Sequence, residues 1–190
     1  MSKFTIKEMC VIAVFVAVTA AVAQVAVPLP FTPVPVALGV LAVFFAGSVL
    51  SPRRAVWSQV VYLIVGAAGL PVFARFRGGV DVLLGPTGGY LITYPIMACT
   101  IAWGDRLIAR ITNRINKKTP VHVLAFANLT LSMLICYAFG TAQLMRVLSV
   151  GLPQALAMGV YPYMVFDVVK ILVCVVIAPK IKKAISNYIV

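Results

Sequence analysis

The stretch CVIAVFVAVTAAVA, residues 10–23, contains no charged side chain and decides the environment in which this chain folds. Together with its flanks it forms an apolar run near residues 7–27. A helix needs about 20 mainly apolar residues to cross a hydrocarbon layer roughly 30 Å thick. The run therefore predicts a first membrane-spanning helix.

The composition of the whole chain supports the same interpretation. Of its 190 residues, 63% are hydrophobic and 11% are charged. A typical soluble domain has about 25% charged residues, and a soluble domain of this length has too little interior to bury so much apolar surface. We therefore expect an integral membrane protein that forms a single membrane-embedded domain over residues 1–190.

Five further apolar runs follow the first, separated by breaks rich in proline, glycine or charge. The break VPLPFTPVP, residues 27–35, holds four prolines, which lack the N–H that a helix interior uses. The six predicted spans lie near residues 7–27, 34–51, 55–73, 87–104, 121–145 and 160–180. The pattern predicts an all-α integral membrane protein with six transmembrane helices.

The basic residues predict the orientation, because cytoplasmic loops carry an excess of Lys and Arg. With the N-terminus inside, the outer segments hold only Arg75, Arg77 and Arg146. The inner segments hold twelve basic residues: Lys3, Lys7, Arg53, Arg54, Arg106, Arg110, Arg114, Lys117, Lys118, Lys180, Lys182 and Lys183. We expect both termini in the cytoplasm of a prokaryotic cell, with the chain multi-pass in the plasma membrane.

The net charge of +12 needs no nucleic-acid partner under this interpretation. A cytoplasmic basic collar facing the anionic lipid bilayer accounts for it. A protein partner docking on residues 106–118 is the alternative.

The stretch YPYMVFDVVKILV, residues 161–173, holds two charges inside the sixth predicted span. Asp167 and Lys170 are three residues apart and share one helix face. Charge at membrane depth usually faces a cavity or a partner. We place Asp81 and Asp105 in loops, so Asp167 is the only acid predicted well inside a span. Two interpretations stay open: a buried structural ion pair, and a polar site for a ligand with adjacent N–H and C=O groups.

The glycine turn GPTGGYL, residues 85–91, opens the fourth predicted span. The first turn of a helix has free N–H groups and a positive dipole end. Gly88 and Gly89 allow close backbone approach, either to a ligand or to a neighbouring helix. Together with the proline-rich loop, this turn is predicted to roof a small cavity on the outer face.

Several chemistries find no support in the sequence. It contains no G-x-x-x-x-G-K-[ST] phosphate loop and no H-E-x-x-H. It has a single histidine, His122, and no Ser–His–Asp constellation is visible. Its four cysteines are scattered through apolar runs, which is typical of small buried residues. We therefore expect no catalytic residue, no metal site and no cofactor, and we do not expect an enzyme.

Ala13, Ala17 and Ala21 recur every four residues in the first predicted span. Small residues at this spacing form a smooth stripe that lets another helix approach closely. The stripe predicts either packing within this chain or a docking face for a separate membrane subunit.

These motifs together resemble those of BioY, the biotin-binding S-component of energy-coupling-factor (ECF) transporters. The resemblance rests on PFTPVP (residues 30–35), GLPVFA (residues 69–74), GPTGGYL (residues 85–91) and the Asp167–Lys170 pair, and it covers essentially the whole chain. It implies a six-helix substrate-binding domain that captures biotin from the outside. Phe166 stands where the resemblance leads us to expect glycine, and we expect it to narrow the pocket or shift Asp167.

The resemblance also implies partners and site residues. Transport would use a transmembrane coupling subunit, which the alanine stripe would meet, and two ATPase subunits. Tyr90 would lie against the apolar part of biotin, while Asp167 and Lys170 would bind its urea or carboxylate. The predicted substrate-binding residues are Phe31, Thr32, Thr87, Gly88, Gly89, Tyr90, Tyr163, Asp167 and Lys170.

Two other functional classes remain as alternatives. One is a stand-alone biotin carrier or facilitator, although the chain shows no inverted repeat of the kind found in many carriers. The other is a small membrane enzyme that uses Asp167, for which the sequence contains no supporting motif.

Overall fold

The structure, a computed structural model, describes residues 5–115 and 121–189, and within them it is mainly helical. The helices are α1 (Ile6–Ala23), α2 (Gly39–Val49), α3 (Pro52–Ala67), α4 (Val80–Leu84), α5 (Gly88–Ile92), α6 (Tyr94–Ile115), α7 (Val121–Leu148), α8 (Leu152–Gly159) and α9 (Met164–Ile189). A single 3-10 turn spans Ala74–Phe76. Two short strands, β1 (Ala26–Val27) and β2 (Val36–Ala37), pair antiparallel and enclose the proline-rich loop.

Local chemistry sets where the first helices begin. Thr5 caps α1 by accepting a hydrogen bond from the Glu8 backbone N–H, and the Glu8 carboxylate accepts from the Thr5 N–H in return. This reciprocal capping box satisfies N–H groups that have no partner inside the helix. At the start of α3, Pro52 occupies the first turn, where its missing N–H costs nothing.

The helix α2 lies at the centre of the bundle, between α1, α6 and α9. It has apolar residues on all sides, and Val43, Phe44 and Ala46 are completely buried, as expected for a helix without a polar face. At Gly47, a Cβ atom would lie 2.7 Å from the Cβ of Ile101 on α6. The glycine therefore lets α2 and α6 approach closely.

The outer surface of the bundle is apolar. On α9 the side chains of Val165, Phe166, Val169 and Val176 are all more than half exposed, a pattern that suits contact with lipid rather than water. Among the described residues, α1 and α7 are each long and apolar enough to cross a membrane by length and composition.

Each of the six predicted spans contains a helix, but the boundaries differ. The fourth span is divided into α5 and α6 at Thr93. Pro95 has no N–H to continue the ladder, and the Thr93 hydroxyl donates to the Tyr90 carbonyl oxygen at 2.6 Å. The sequence analysis also missed α4, α8 and the β-hairpin, because each is too short to give a periodic signal.

The predicted loop positions of two acids were wrong. Asp81 lies in α4, and Asp105 lies in the middle of α6. Asp105 is half-buried and accepts a hydrogen bond of 3.1 Å from the Asn128 side chain on α7. Asp167 is therefore not the only acid inside a long helix. The prediction failed because the polar residues around Asp105 ended the apolar run before the helix itself ended.

Candidate functional site

One end of the bundle encloses a cavity of about 140 Å³. We call it the pocket end; it carries the β-hairpin, the 3-10 turn and α4. The cavity is roughly ten times larger than the smallest space that holds one water molecule. Its walls come from the proline-rich loop, the turn after α3 and each of the helices α1–α9, so distant parts of the sequence meet there.

Asp167 and Lys170 form a buried ion pair in the cavity wall. The Lys170 Nζ and the Asp167 Oδ1 are 2.8 Å apart, and the two residues are 4% and 6% exposed. Lys170 also donates to the Ala37 carbonyl oxygen at 2.9 Å, and the Tyr137 hydroxyl donates to the Asp167 Oδ2 at 2.5 Å. Each charge is thus compensated, as a buried charge must be.

The pair keeps hydrogen-bonding capacity for a ligand. An ammonium group has three donors, and Lys170 uses two of them within the described residues. A carboxylate has about four lone-pair sites, and the Asp167 oxygens accept two hydrogen bonds from the same part of the chain. One acceptor group beside one donor group suits a ligand that presents N–H and C=O side by side.

Aromatic side chains form much of the remaining wall. Tyr62 and Tyr94 stack with ring centroids 6.1 Å apart and an interplanar angle of 14°, and Phe73 meets Tyr62 edge-on at 5.5 Å. The Tyr62 hydroxyl donates to the Val72 carbonyl oxygen at 3.1 Å, and the Tyr163 hydroxyl donates to that of Val34 at 2.5 Å. These bonds hold the rings in place, so the wall offers a largely preformed apolar surface.

Five of the nine predicted binding residues come together at the cavity: Thr87, Tyr90, Tyr163, Asp167 and Lys170. Tyr90 enters from α5 and crosses α7 at Gly140, where any Cβ would overlap the tyrosine ring. Its hydroxyl donates to the Gly159 carbonyl oxygen at 3.1 Å. Tyr90 therefore links three helices while its side chain lines the cavity.

The glycines Gly88 and Gly89 lie outside the cavity lining and against the chain itself. A Cβ at Gly88 would overlap the Leu83 carbonyl oxygen, and one at Gly89 would lie 2.6 Å from the Phe139 carbonyl oxygen on α7. The Gln143 side chain donates to the carbonyl oxygens of Leu83 and Gly85 at 2.8 Å each. The turn is thus fastened to α7, and a ligand contact by these glycines stays a prediction.

Phe31 and Thr32 also lie outside the cavity lining. Phe31 is 58% exposed, while the Thr32 hydroxyl donates to the Met158 carbonyl oxygen on α8 at 2.7 Å. Thr32 also accepts from the Val34 N–H at 3.2 Å. Thr32 therefore fastens the proline-rich loop across the pocket end, and a direct ligand contact by either residue stays a prediction.

Phe166 faces away from the cavity. It is 51% exposed and is not among the residues that line the cavity. The expectation that it narrows the pocket was therefore wrong, whereas a shift of Asp167 by Phe166 stays a prediction.

The alanine stripe lies on the outside of the bundle. Ala13, Ala17 and Ala21 are all exposed, and neighbouring Val14 is 58% exposed. This exposure argues against packing of the stripe within the described part of this chain, and a docking face for a separate membrane subunit stays a prediction.

Several residues that line the cavity were not predicted from the sequence: Tyr62, Phe73, Arg75, Tyr94 and Tyr137. The hydroxyl groups of tyrosines inside apolar runs were the available signal, since a buried hydroxyl needs a partner. Nothing in the spacing indicates which of these tyrosines share a cavity. In the described residues, no group of three or more His, Cys, Asp or Glu side chains is placed to hold a metal ion.

The chain has relatives of known family. A sequence profile of the BioY family matches residues 1–187. The probable biotin transporter BioY of Pyrococcus horikoshii is 36% identical over 93% of this chain and 96% of its own length. The biotin transporter BioY of Thermotoga maritima is 34% identical over 83% of this chain and 86% of its own length.

A solved structure shares the fold. The crystal structure of the S-component for biotin from an ECF-type ABC transporter aligns with a TM-score of 0.83 over 95% of each chain, at 24% sequence identity. At that identity the match supports the fold and not the function.

Proposed function

This chain belongs to the BioY family, and from that membership we propose that it is the biotin-binding S-component of an ECF-type vitamin importer. Biotin combines a cyclic urea, a thioether ring and an aliphatic carboxylate. These groups match a cavity that offers an ion pair, an aromatic wall and polar side chains at its mouth.

The single observation that carries the proposal is the buried Asp167–Lys170 pair facing the cavity. In the complex, the Asp167 carboxylate accepts a hydrogen bond from a urea N–H, and the Lys170 ammonium donates to the urea oxygen. The Tyr137 hydroxyl holds the carboxylate in place for this contact. Tyr90, with Tyr62 and Tyr94 opposite, packs against the thioether ring and the aliphatic chain.

In the membrane, we propose six spanning helices with both termini cytoplasmic and the pocket end facing outward. The excess of Lys and Arg in the predicted inner segments supports this orientation, because such residues are retained in the cytoplasm. The exposed apolar side chains of α9 support contact with lipid along the bundle. The chain is then a multi-pass protein of the cell membrane that takes biotin from outside.

The proposed partners are a transmembrane coupling subunit and two ATPase subunits. The chain has no phosphate loop of its own, so energised transport needs nucleotide hydrolysis elsewhere. The exposed alanine stripe on α1 supports a close helix–helix contact with the coupling subunit.

Calorimetry of the detergent-solubilised chain tests biotin capture. We expect a Kd near nanomolar, which corresponds to about −12 kcal/mol. Lipoic acid is the matched control ligand, because it carries a sulfur ring and a valerate carboxylate but no urea. Biotin binding no tighter than millimolar, or equal binding of the two compounds, would contradict the proposal.

A further inference from the structure

The turn between α3 and α4 holds an arginine in an unfavourable backbone conformation. Arg75 has φ 62° and ψ 38°, and the next residue, Phe76, has φ 56°. This left-handed region is disfavoured for residues that carry a Cβ atom. Backbone strain of this kind persists only where the surroundings enforce it, and it is concentrated at functional sites.

The surroundings of the turn do enforce it. At the end of α1, the Gln24 Oε1 accepts from the Phe76 N–H at 2.7 Å, and the Gln24 Nε2 donates to the Val72 carbonyl oxygen at 3.1 Å. The Phe73 N–H donates to the Arg77 carbonyl oxygen at 2.9 Å. Because the Phe73 side chain is 1% exposed, it anchors the turn in the core.

The Arg75 side chain lines the cavity, and no acid of the described residues forms an ion pair with it. The chain has four acidic side chains, all within the described residues. Three of them form ion pairs: Glu8 with Arg54, Asp81 with Arg77, and Asp167 with Lys170. The fourth, Asp105, lies outside the cavity lining and accepts a hydrogen bond from Asn128.

Arg75 is exposed and leaves one positive charge at the edge of the cavity that no acid of the described residues offsets. The Asp167–Lys170 pair is neutral as a whole, and the Arg77 charge is offset by Asp81. Arg75 has no ion pair or hydrogen bond within the described residues, so one positive charge remains at the cavity. A monoanionic ligand restores neutrality, and a guanidinium binds a carboxylate through two parallel hydrogen bonds.

We propose that Arg75 is the carboxylate-binding residue of the pocket and sets the orientation of the ligand. The inference rests on the proposed capture of biotin. The urea ring lies at Asp167 and Lys170, and the valerate chain extends along the aromatic wall to the 3-10 turn. The strained backbone of that turn aims the Arg75 guanidinium at the carboxylate.

Two ligands and three proteins test the assignment. Calorimetry compares biotin with biotinamide, which is neutral at the chain end, for the native chain, Arg75→Gln and Arg75→Gly. We expect the native chain to bind biotin at least tenfold more tightly than biotinamide. Both variants should bind biotin at least tenfold more weakly and biotinamide within threefold of the native chain.

Arg75→Gly separates the charge from the fold, because glycine adopts a positive φ without strain. We expect its thermal unfolding temperature without ligand to equal or exceed that of the native chain, while the preference for biotin over biotinamide is lost. Arg146→Gln is the matched control: it removes an arginine of the same predicted outer face from an exposed position outside the cavity lining. It should keep the preference.

The outcomes separate two failures. If the native chain binds neither compound, the proposed capture of biotin is overturned and this assignment falls with it. If the native chain binds biotin but both Arg75 variants keep the tenfold preference, only the assignment is overturned. Equal loss of biotin and biotinamide in both variants also overturns it, since Arg75 would then shape the pocket without binding the carboxylate.

Discussion

At the scale of single residues, the buried ion pair is part of the cavity wall and is held in place by Tyr137. Asp167 accepts from Lys170 and from Tyr137, so a change in any of the three alters the charge balance or the geometry of the other two. A buried charge that loses its partner is strongly unfavourable. Substitution of Asp167 or Lys170 leaves such a charge, whereas substitution of Tyr137 removes a hydrogen bond and keeps both charges.

We predict a graded loss of biotin affinity across this group. Asp167→Asn and Lys170→Ala each remove one charge and leave the other unpaired, which costs about 2–5 kcal/mol and at least a tenfold loss of affinity. Tyr137→Phe keeps both charges and removes one hydrogen bond to a carboxylate, so its loss should stay within about 1.5–3 kcal/mol.

Calorimetry of the three variants measures the grading, with Phe166→Leu as the control. Phe166 is one residue from Asp167 but is 51% exposed, so its truncation should leave biotin affinity unchanged. Native affinity in both charge variants would show that the pair serves structure alone.

At the scale of secondary-structure elements, glycines set how closely the helices approach α7. Gly89 on α5 lies against the Phe139 carbonyl oxygen, and the Tyr90 ring packs against Gly140 on α7. The two contacts interlock α5 with α7 and thereby hold Tyr90 at the cavity. Gly88 and Gly89 therefore support the pocket through the packing of the helix that carries Tyr90, whereas Thr87 of the same turn lines the cavity directly.

We predict that Gly88→Val and Gly89→Val lower the stability of the fold itself. Their Cβ atoms would overlap backbone oxygen atoms, which cannot move as a side chain can, so the cost should exceed the 1–3 kcal/mol typical of overpacking. The measurement is thermal unfolding in detergent without ligand.

Gly151→Ser is the matched control for these two variants. A Cβ at Gly151 would meet nothing closer than the Pro153 Cδ at 3.8 Å, and serine is a favourable N-cap for α8. Valine variants with native unfolding temperature and lost biotin binding would instead point to a ligand contact at the glycines.

At the scale of the whole molecule, the cavity and the alanine stripe occupy separate surfaces. The cavity is lined by residues from each of the helices α1–α9 and from the connecting loops, whereas the alanine stripe lies on the exposed side of α1. Ala23, at the end of α1, also lines the cavity. The stripe itself is outside the lining.

We predict that Ala17→Trp separates ligand binding from assembly. A bulky side chain on the stripe prevents close helix approach, so the variant should not co-purify with a coupling subunit and its ATPases or support ATP-driven uptake into proteoliposomes. Its biotin affinity should stay within about twofold of native, under roughly 0.5 kcal/mol.

Val169→Trp on α9 is the control, because Val169 is 54% exposed on a helix other than the one that carries the stripe. It should assemble and transport normally. Normal assembly and uptake by Ala17→Trp would place the docking face elsewhere.

The sequence by itself determined the environment, the helical character of each of the six long runs and the need of Asp167 and Lys170 for a partner or a cavity, while ligand binding by the two residues stays a prediction. The physical reason is that hydrocarbon excludes charge: an apolar run near 20 residues implies a span, and a charge inside such a run needs a partner or a cavity. The same signal failed for Asp105, because the polar residues around it concealed the continuation of α6.

The tertiary structure alone decided which residues meet at the cavity and which side of α1 faces outward. Tyr62 and Tyr137 lie on different helices far apart in the sequence. The residues around a tyrosine in an apolar run do not indicate which distant residue it contacts. Periodicity placed Ala13, Ala17 and Ala21 on one face of α1 without saying whether that face is buried. Arg75 counted only as a loop charge until the fold showed its strained backbone, its place at the cavity and the ion pairs that three of the four acids form with other residues. Such facts depend on contacts between distant segments, which local spacing does not encode.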